Sequence, residues 1–229
     1  MNAQAVDLGR LFRAVTDTLV QHQEALNQAD SLNGNHGDHM VQIFRVATLA
    51  ALEKQDSGLD EAMEYAATLL GQYEQNGSAR VYARGLSLLA EQFRQRGVRL
   101  PDLLAFSRRA AREAPEEAPE QGAQEEPAGS GEILKALVNA LAFWEREEPG
   151  AEPGGGEAAR EGKSRGLDMG YMFGVGMAYL QAKNKGGERV DILADTVVSA
   201  SPLGKVPHRA QSGRLVFSTL LRALVDSGA

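Results

Sequence analysis

The chain contains no cysteine, which excludes disulfides, thiolate nucleophiles and cysteine-ligated metals. No apolar run reaches membrane-spanning length, and no signal-peptide pattern follows Met1-Asn2-Ala3. A soluble cytoplasmic protein without a membrane partner is therefore expected. Sustained period-two alternation is missing as well, and Pro202 and Pro207 argue against a strand late in the chain, so no sheet is expected. A basic stripe is also lacking. The net charge is −7, but residues 113–128 and 145–161 hold 12 of the 31 acids and only 2 of the 24 basic residues, Arg146 and Arg160. What remains is 22 basic against 19 acidic residues, about +3. The acidity thus belongs to linker-like segments, and nucleic acid is not an expected partner.

What the sequence does have is helical periodicity. Val6, Leu11, Phe12, Val15, Leu19 and Leu26 recur at helical spacing and predict a first helix over about 4–28. Met40, Ile43, Phe44, Ala47 and Leu52 predict a second over about 38–55, closed by Asp56-Ser57-Gly58. Leu59, Met63, Ala66, Leu69 and Leu70 mark a third. After the small polar turn Glu74–Ala79, a fourth carries Val81, Leu86, Leu89 and Phe93 and ends at Gly97. Leu100-Pro101 opens a fifth, with proline acceptable in a first turn. Residues 114–129 and 147–163 have acidic linker chemistry. Between them a helix over 130–146 carries Ile133, Leu134, Leu137, Leu141 and Trp144. A Gly-rich helix follows over 165–183, in which Gly170 and Gly174 share a face suited either to tight helix packing or to a ligand. An eighth helix over 188–200 points Val190, Leu193, Val197 and Val198 inward. The loop Ser201–Arg209 then precedes a last helix bearing Leu215, Val216, Leu220, Leu221 and Leu224. The fold class expected is all-α, with eight or nine helices.

Chemistry concentrates in Leu26–Met40, a short polar run with two Gly, two His, two Asp and three Asn. Glycine, asparagine and aspartate tolerate left-handed backbone, so polar side chains can converge there on one small charged object. Asp38 stands where the second helix is expected to begin, and there it can cap the helix while the free N–H groups face an anion. A phosphate, a metal–phosphate or an oxyanion is one reading; a plain capped turn is the other.

The residues Asn33-Gly34-Asn35-His36-Gly37-Asp38-His39-Met40 resemble the Asp-Gly-Asp-His-Gly-x-Asn-Met motif of the dihydroxyacetone kinase nucleotide-binding (DhaL) domain. The Gly, His, Gly and Met positions agree, and both carboxylates have become amides. Leu26-Asn27 is similar to the dipeptide that precedes the motif, and Gln75–Tyr82 falls at the family's phosphate turn, keeping Ser78 and Tyr82. Gly131–Leu137 resembles a third family segment. Val206–Leu221 stands where the family has a His-x-Asp-Pro-Gly-Ala turn, whose Asp-Pro-Gly is absent here.

The resemblance implies one domain over 1–229, an eight-helix up-and-down barrel that binds ATP or ADP with Mg2+ in loops at one end. Its nucleotide-binding positions are Asn33, Asn35, His36, Gly37, Asp38, Gly77, Ser78 and Ala79. The family's three metal-gripping Asp positions are occupied by Asn33, Asn35 and one of Asn27, Gln28 or Asp30, with Asp30 the carboxylate among them. Magnesium prefers anionic oxygen, so two Asp-to-Asn changes remove two charges from that grip and weaken support for phosphoryl transfer. His36 and His39 are candidates for phosphate contact, for a transition metal, or for hydrogen bonding within the loop. An active enzyme of this kind needs a separate substrate-binding kinase subunit, because no substrate domain is present on this chain. Three functions follow: a phosphotransferase of the dihydroxyacetone kinase type, a catalytically impaired pseudokinase, or a non-enzymatic helical interaction module, with a homodimer through the Gly-rich helix left open.

Overall fold

The computed structural model describes residues 7–73, 76–112, 188–199, 204 and 206–227. They form α1 (Leu8–Ala29), α2 (His36–Glu53), α3 (Leu59–Gly71), α4 (Gly77–Arg96), α5 (Leu100–Arg112), α6 (Arg189–Ser199) and α7 (Pro207–Asp226). No strand occurs among the described residues, and the fold is all-α. Val6, the helices expected over 130–146 and 165–183, the segment Gly131–Leu137 and the acidic stretches at 114–129 and 147–163 lie outside the described residues.

Caps set the helix boundaries. Asp7 accepts the N–H of Gly9 at 2.9 Å, so α1 starts at Leu8, later than periodicity alone suggested. Asn76 caps α4 by accepting the N–H of Ala79 at 2.9 Å. At the other end of α4, Gly97 adopts φ +63°, the left-handed closing position that favours glycine. Two further boundaries differ from expectation. Helix α2 begins at His36 with Asn35 as its N-cap, which places Asp38 inside the first turn and removes it from the capping role. Helix α7 begins at Pro207, so Pro207, His208 and Arg209 are helical and not part of the preceding loop. Proline fits a first helical position because the N–H it lacks has no acceptor there.

The apolar stripes meet in one core. Leu11, Phe12, Val15, Leu19 and Leu26 of α1 pack with Met40, Ile43, Phe44 and Ala47 of α2, and with Met63, Ala66, Leu70 and Phe93 of α3 and α4. Val190 of α6 and Val216, Leu221 and Leu224 of α7 complete it. Each large aliphatic or aromatic side chain buried this way contributes about 1.5–3 kcal/mol. Leu52 departs from the expected stripe and stands exposed.

Helix α2 packs against α1, α3 and α4, while α7 packs against α1, α5 and α6. Pairing along the helices fixes their directions. Gln42 and Phe44 of α2 stand beside Asn76 and Tyr82 of α4, so these two helices run parallel. Arg214 pairs with Asp195, and Arg222 with Asp191, which makes α6 and α7 antiparallel. His208 at the start of α7 lies against His36 at the start of α2. The N-terminal ends of α2, α4 and α7 therefore open on the same side of the helical layer.

Candidate functional site

The rim is assembled where α1 ends and α2 begins. The last turn of α1 closes with the N–H of Asp30 donating to the Asn27 carbonyl at 3.1 Å. The chain then reverses through Ser31–Asn35, and Gly34 takes φ +67°. A side chain at Gly34 would be strained by its backbone conformation. Asp30 points into the turn, with its Oδ1 accepting the N–H of Leu32 at 3.0 Å, an Asx-type closure. Burial pushes the Asp30 carboxyl upward, but backbone N–H groups of Leu32, Asn35 and Asn33, together with nearby His208, outweigh that effect and hold it below the usual carboxylate range.

Gly37 explains why α1 and α2 can meet so closely. A Cβ placed on it would lie 2.1 Å from the Gln23 carbonyl oxygen and 2.8 Å from Asn27 Oδ1. The helices cross where only a hydrogen fits. Around that crossing, the N–H of Asp38 donates to Asn27 Oδ1 at 3.2 Å. In return Asn27 Nδ2 donates to Asp38 Oδ1 at 3.0 Å. Gln23 Nε2 adds a bond to the same oxygen at 2.6 Å. The amides of Asn27 and Gln23 hold the Asp38 carboxyl below its ordinary range. Asn27 thus satisfies an N-terminal N–H of α2, the task that sequence spacing had assigned to Asp38.

A second cluster lies inward. His36 is buried, with Nε2 2.9 Å from Ser212 Oγ. The Ser212 hydroxyl donates to the Arg209 carbonyl at 3.1 Å, which leaves its oxygen to accept from the Nε2–H of His36. The rings of His36 and His208 pack edge to face with centroids 4.7 Å apart, and His208 Nδ1 is 3.9 Å from Asp30 Oδ1. Burial, with contributions from His208, Arg209 and His39, lowers the His36 pKa to about 4 against the pull of Asp30. His208 is lowered too, chiefly by burial. Both imidazoles are neutral at pH 7, so neither brings a full positive charge to a phosphate.

The amide positions differ in their surroundings. Asn33 is exposed, and its Oδ1 receives the Asn35 N–H at 3.4 Å. Asn35 Oδ1 is buried and has no hydrogen-bond partner among the described residues. The second polar turn joins the same side through Asn76, whose Nδ2 donates to Gln42 Oε1 at 2.9 Å. Gln42 stands six residues after His36, so this turn is set about 9 Å along α2 from the loop. Gly77, Ser78 and Ala79 form the first turn of α4 behind the Asn76 cap, and no hydrogen bond joins Ser78 to Asn33 or Asn35 among the described residues. An open cleft of about 530 Å³ follows α2 outward, lined by Gln23, Asp38, His39, Gln42, Arg45 and Tyr73 among others.

The donor set does not suit magnesium. No group of three or more His, Asp or Glu side chains able to hold a metal occurs among the described residues. The carboxylate of Asp30 is engaged by its own turn and that of Asp38 by two side-chain amides, while Asn33 and Asn35 offer only neutral amide oxygens. A hard divalent cation would gain little anionic oxygen here.

Sequence reasoning missed Gln23, Gln42, His208 and Ser212 as parts of this rim. The pair Gln23 and Asn27 was findable as two amides four residues apart on the last turns of α1. His208 and Ser212 have the same spacing, but the placement of His208 in a loop concealed it. No helix among the described residues is long and apolar enough to cross a membrane. No protein-family model matches the chain, and neither a curated protein nor a solved structure matches it.

Proposed function

We propose that this chain is a DhaL-like helical domain, an eight-helix up-and-down barrel of the dihydroxyacetone kinase type, whose nucleotide end has lost its metal grip. In this reading it is a pseudokinase that works through contact with a separate subunit. The observation that carries the proposal is the shared rim. The amide loop at Asn33–Asp38 and the small-residue turn at Asn76–Ala79 open on one side of the layer, the turn bonded through Asn76 to Gln42 of α2 about 9 Å along the helix from the loop. Three helix N-termini face that side, and the positive ends of their dipoles favour anions such as a nucleotide phosphate. Neutral amides at Asn33 and Asn35 and the engaged carboxylates of Asp30 and Asp38 support the loss of metal-dependent phosphoryl transfer.

Calorimetry with ADP, with and without Mg2+, tests the proposal. The wild-type chain should show no gain in ADP affinity on adding Mg2+. The double variant Asn33→Asp, Asn35→Asp should acquire a magnesium-dependent component, since each restored carboxylate returns one negative charge to the loop. Magnesium-dependent ADP binding by the wild type, accompanied by ATP turnover with a partner subunit, would make the chain an active phosphotransferase. An absence of nucleotide binding in both proteins would remove the kinase-type reading and leave a helical interaction module.

A further inference from the structure

The sequence contains two Asn-Gly pairs, Asn33-Gly34 and Asn76-Gly77, and the fold treats them in opposite ways. An asparagine followed by glycine is open to attack on its side-chain carbonyl by the next backbone nitrogen, because glycine carries no Cβ to obstruct the approach. What decides the rate in a folded protein is whether the asparagine side chain and the next N–H are free to meet. Asn76 is not free. It is buried, its Oδ1 accepts the N–H of Ala79 at 2.9 Å, and its Nδ2 donates to Gln42 at 2.9 Å. Asn33 is exposed in the turn between α1 and α2. Among the described residues its side chain has one weak contact, the 3.4 Å approach of the Asn35 N–H. Among the described residues, no backbone hydrogen bond engages the Gly34 N–H.

We propose that Asn33 is a site of spontaneous deamidation, and that Asn76 is protected from it by its cap. The Gly34 nitrogen bonds to Asn33 Cγ and the Cγ–Nδ2 bond breaks. Nδ2 departs as ammonia, taking the proton released from the Gly34 N–H. Water then opens the cyclic imide at one of its two carbonyls, delivering hydroxyl to carbon and a proton to nitrogen. Opening at Cγ gives aspartate; opening at the backbone carbonyl gives isoaspartate. The net reaction converts an amide and water to a carboxylic acid and ammonia, with no change of oxidation state.

The two products act differently on the rim. An α-aspartate at position 33 places a negative charge two residues before the N-cap of α2, where the helix end and the Asn35 N–H favour it. Isoaspartate adds a methylene to the backbone of a turn whose next residue is held at φ +67°, and so loosens the turn. Either way the rim gains one negative charge beside Asp30 and Asp38.

Ageing of the full chain in warm, mildly alkaline buffer tests the proposal. Charge-resolved chromatography and tandem mass spectrometry would be applied to the tryptic peptides 14–45 and 55–80, which carry Asn33 and Asn76 respectively. Because two hydrogen bonds must break before Asn76 can react, Asn33 should lose its amide about thirtyfold faster. In urea the two rates should converge. The variant Asn33→Gln should lack the early acidic species. Equal rates in the folded chain, or an acidic species that persists in Asn33→Gln at the wild-type rate, would overturn the assignment.

Discussion

Replacing Gly37 with alanine should destabilise the protein, although alanine is the better helix former. The new Cβ would stand 2.1 Å from the Gln23 carbonyl oxygen, whereas real Cβ atoms essentially never approach closer than 3.0 Å. That oxygen belongs to the α1 backbone, so no side chain can swing aside, and α1 must retreat by about 1 Å. Overpacking of this kind costs about 1–3 kcal/mol. The retreat also lengthens the reciprocal Asn27–Asp38 bonds of 3.2 and 3.0 Å, a further loss of about 1–2 kcal/mol. Helix propensity returns about 1 kcal/mol. The net destabilisation should be about 1–4 kcal/mol, read as a lower urea midpoint at unchanged slope. Gly71→Ala is the matched control: a Cβ there meets nothing within 4 Å, so that variant should be neutral or more stable by up to about 1 kcal/mol. If Gly37→Ala is as stable as Gly71→Ala, the close crossing of α1 and α2 is wrong.

Two further outcomes follow from the rim. His36 has a folded pKa of about 4, below the unfolded value near 6.5. Protonation therefore favours the unfolded chain, and stability should fall as pH drops from about 6.5 towards about 4, losing about 2–3 kcal/mol. Lowered Asp30 and Asp38 add losses only at more acidic pH. His39, His208, Arg209 and Asp30 face the same imidazole, so denaturation midpoints for wild type and His36→Gln measured across that range isolate its part; parallel profiles would count against the buried neutral assignment. Asn76→Ala removes the α4 cap and strands the Gln42 amide. A loss of about 1–2 kcal/mol is expected by thermal melting, and an unchanged melting temperature would argue against the Asn76–Gln42 tie.

How much was legible depended on the range of the interaction. Periodicity located every described helix, because burying one face of a helix leaves a mark every three or four residues. Gly97 was readable as a helix stop from its local chemistry alone. The start of α2 was misplaced by two residues because Asp38 is a good capping residue in isolation, whereas its carboxylate is drawn off by Asn27 and Gln23 across the helix pair. Pro207 was read as a loop residue and proved to open α7, since proline carries both meanings until the neighbouring packing chooses one.

The amino-acid sequence alone determined the all-α class, the order of the described helices, the lack of thiol chemistry and the polar character of residues 26–40. Tertiary structure alone decided that Gly37 serves a helix crossing, that Asp30 turns inward toward His208, and that His36 rests neutral against Ser212, 176 residues away. Composition and spacing record preferences of single segments. Desolvation, collision and hydrogen-bond exchange between distant segments exist only once the chain has closed on itself.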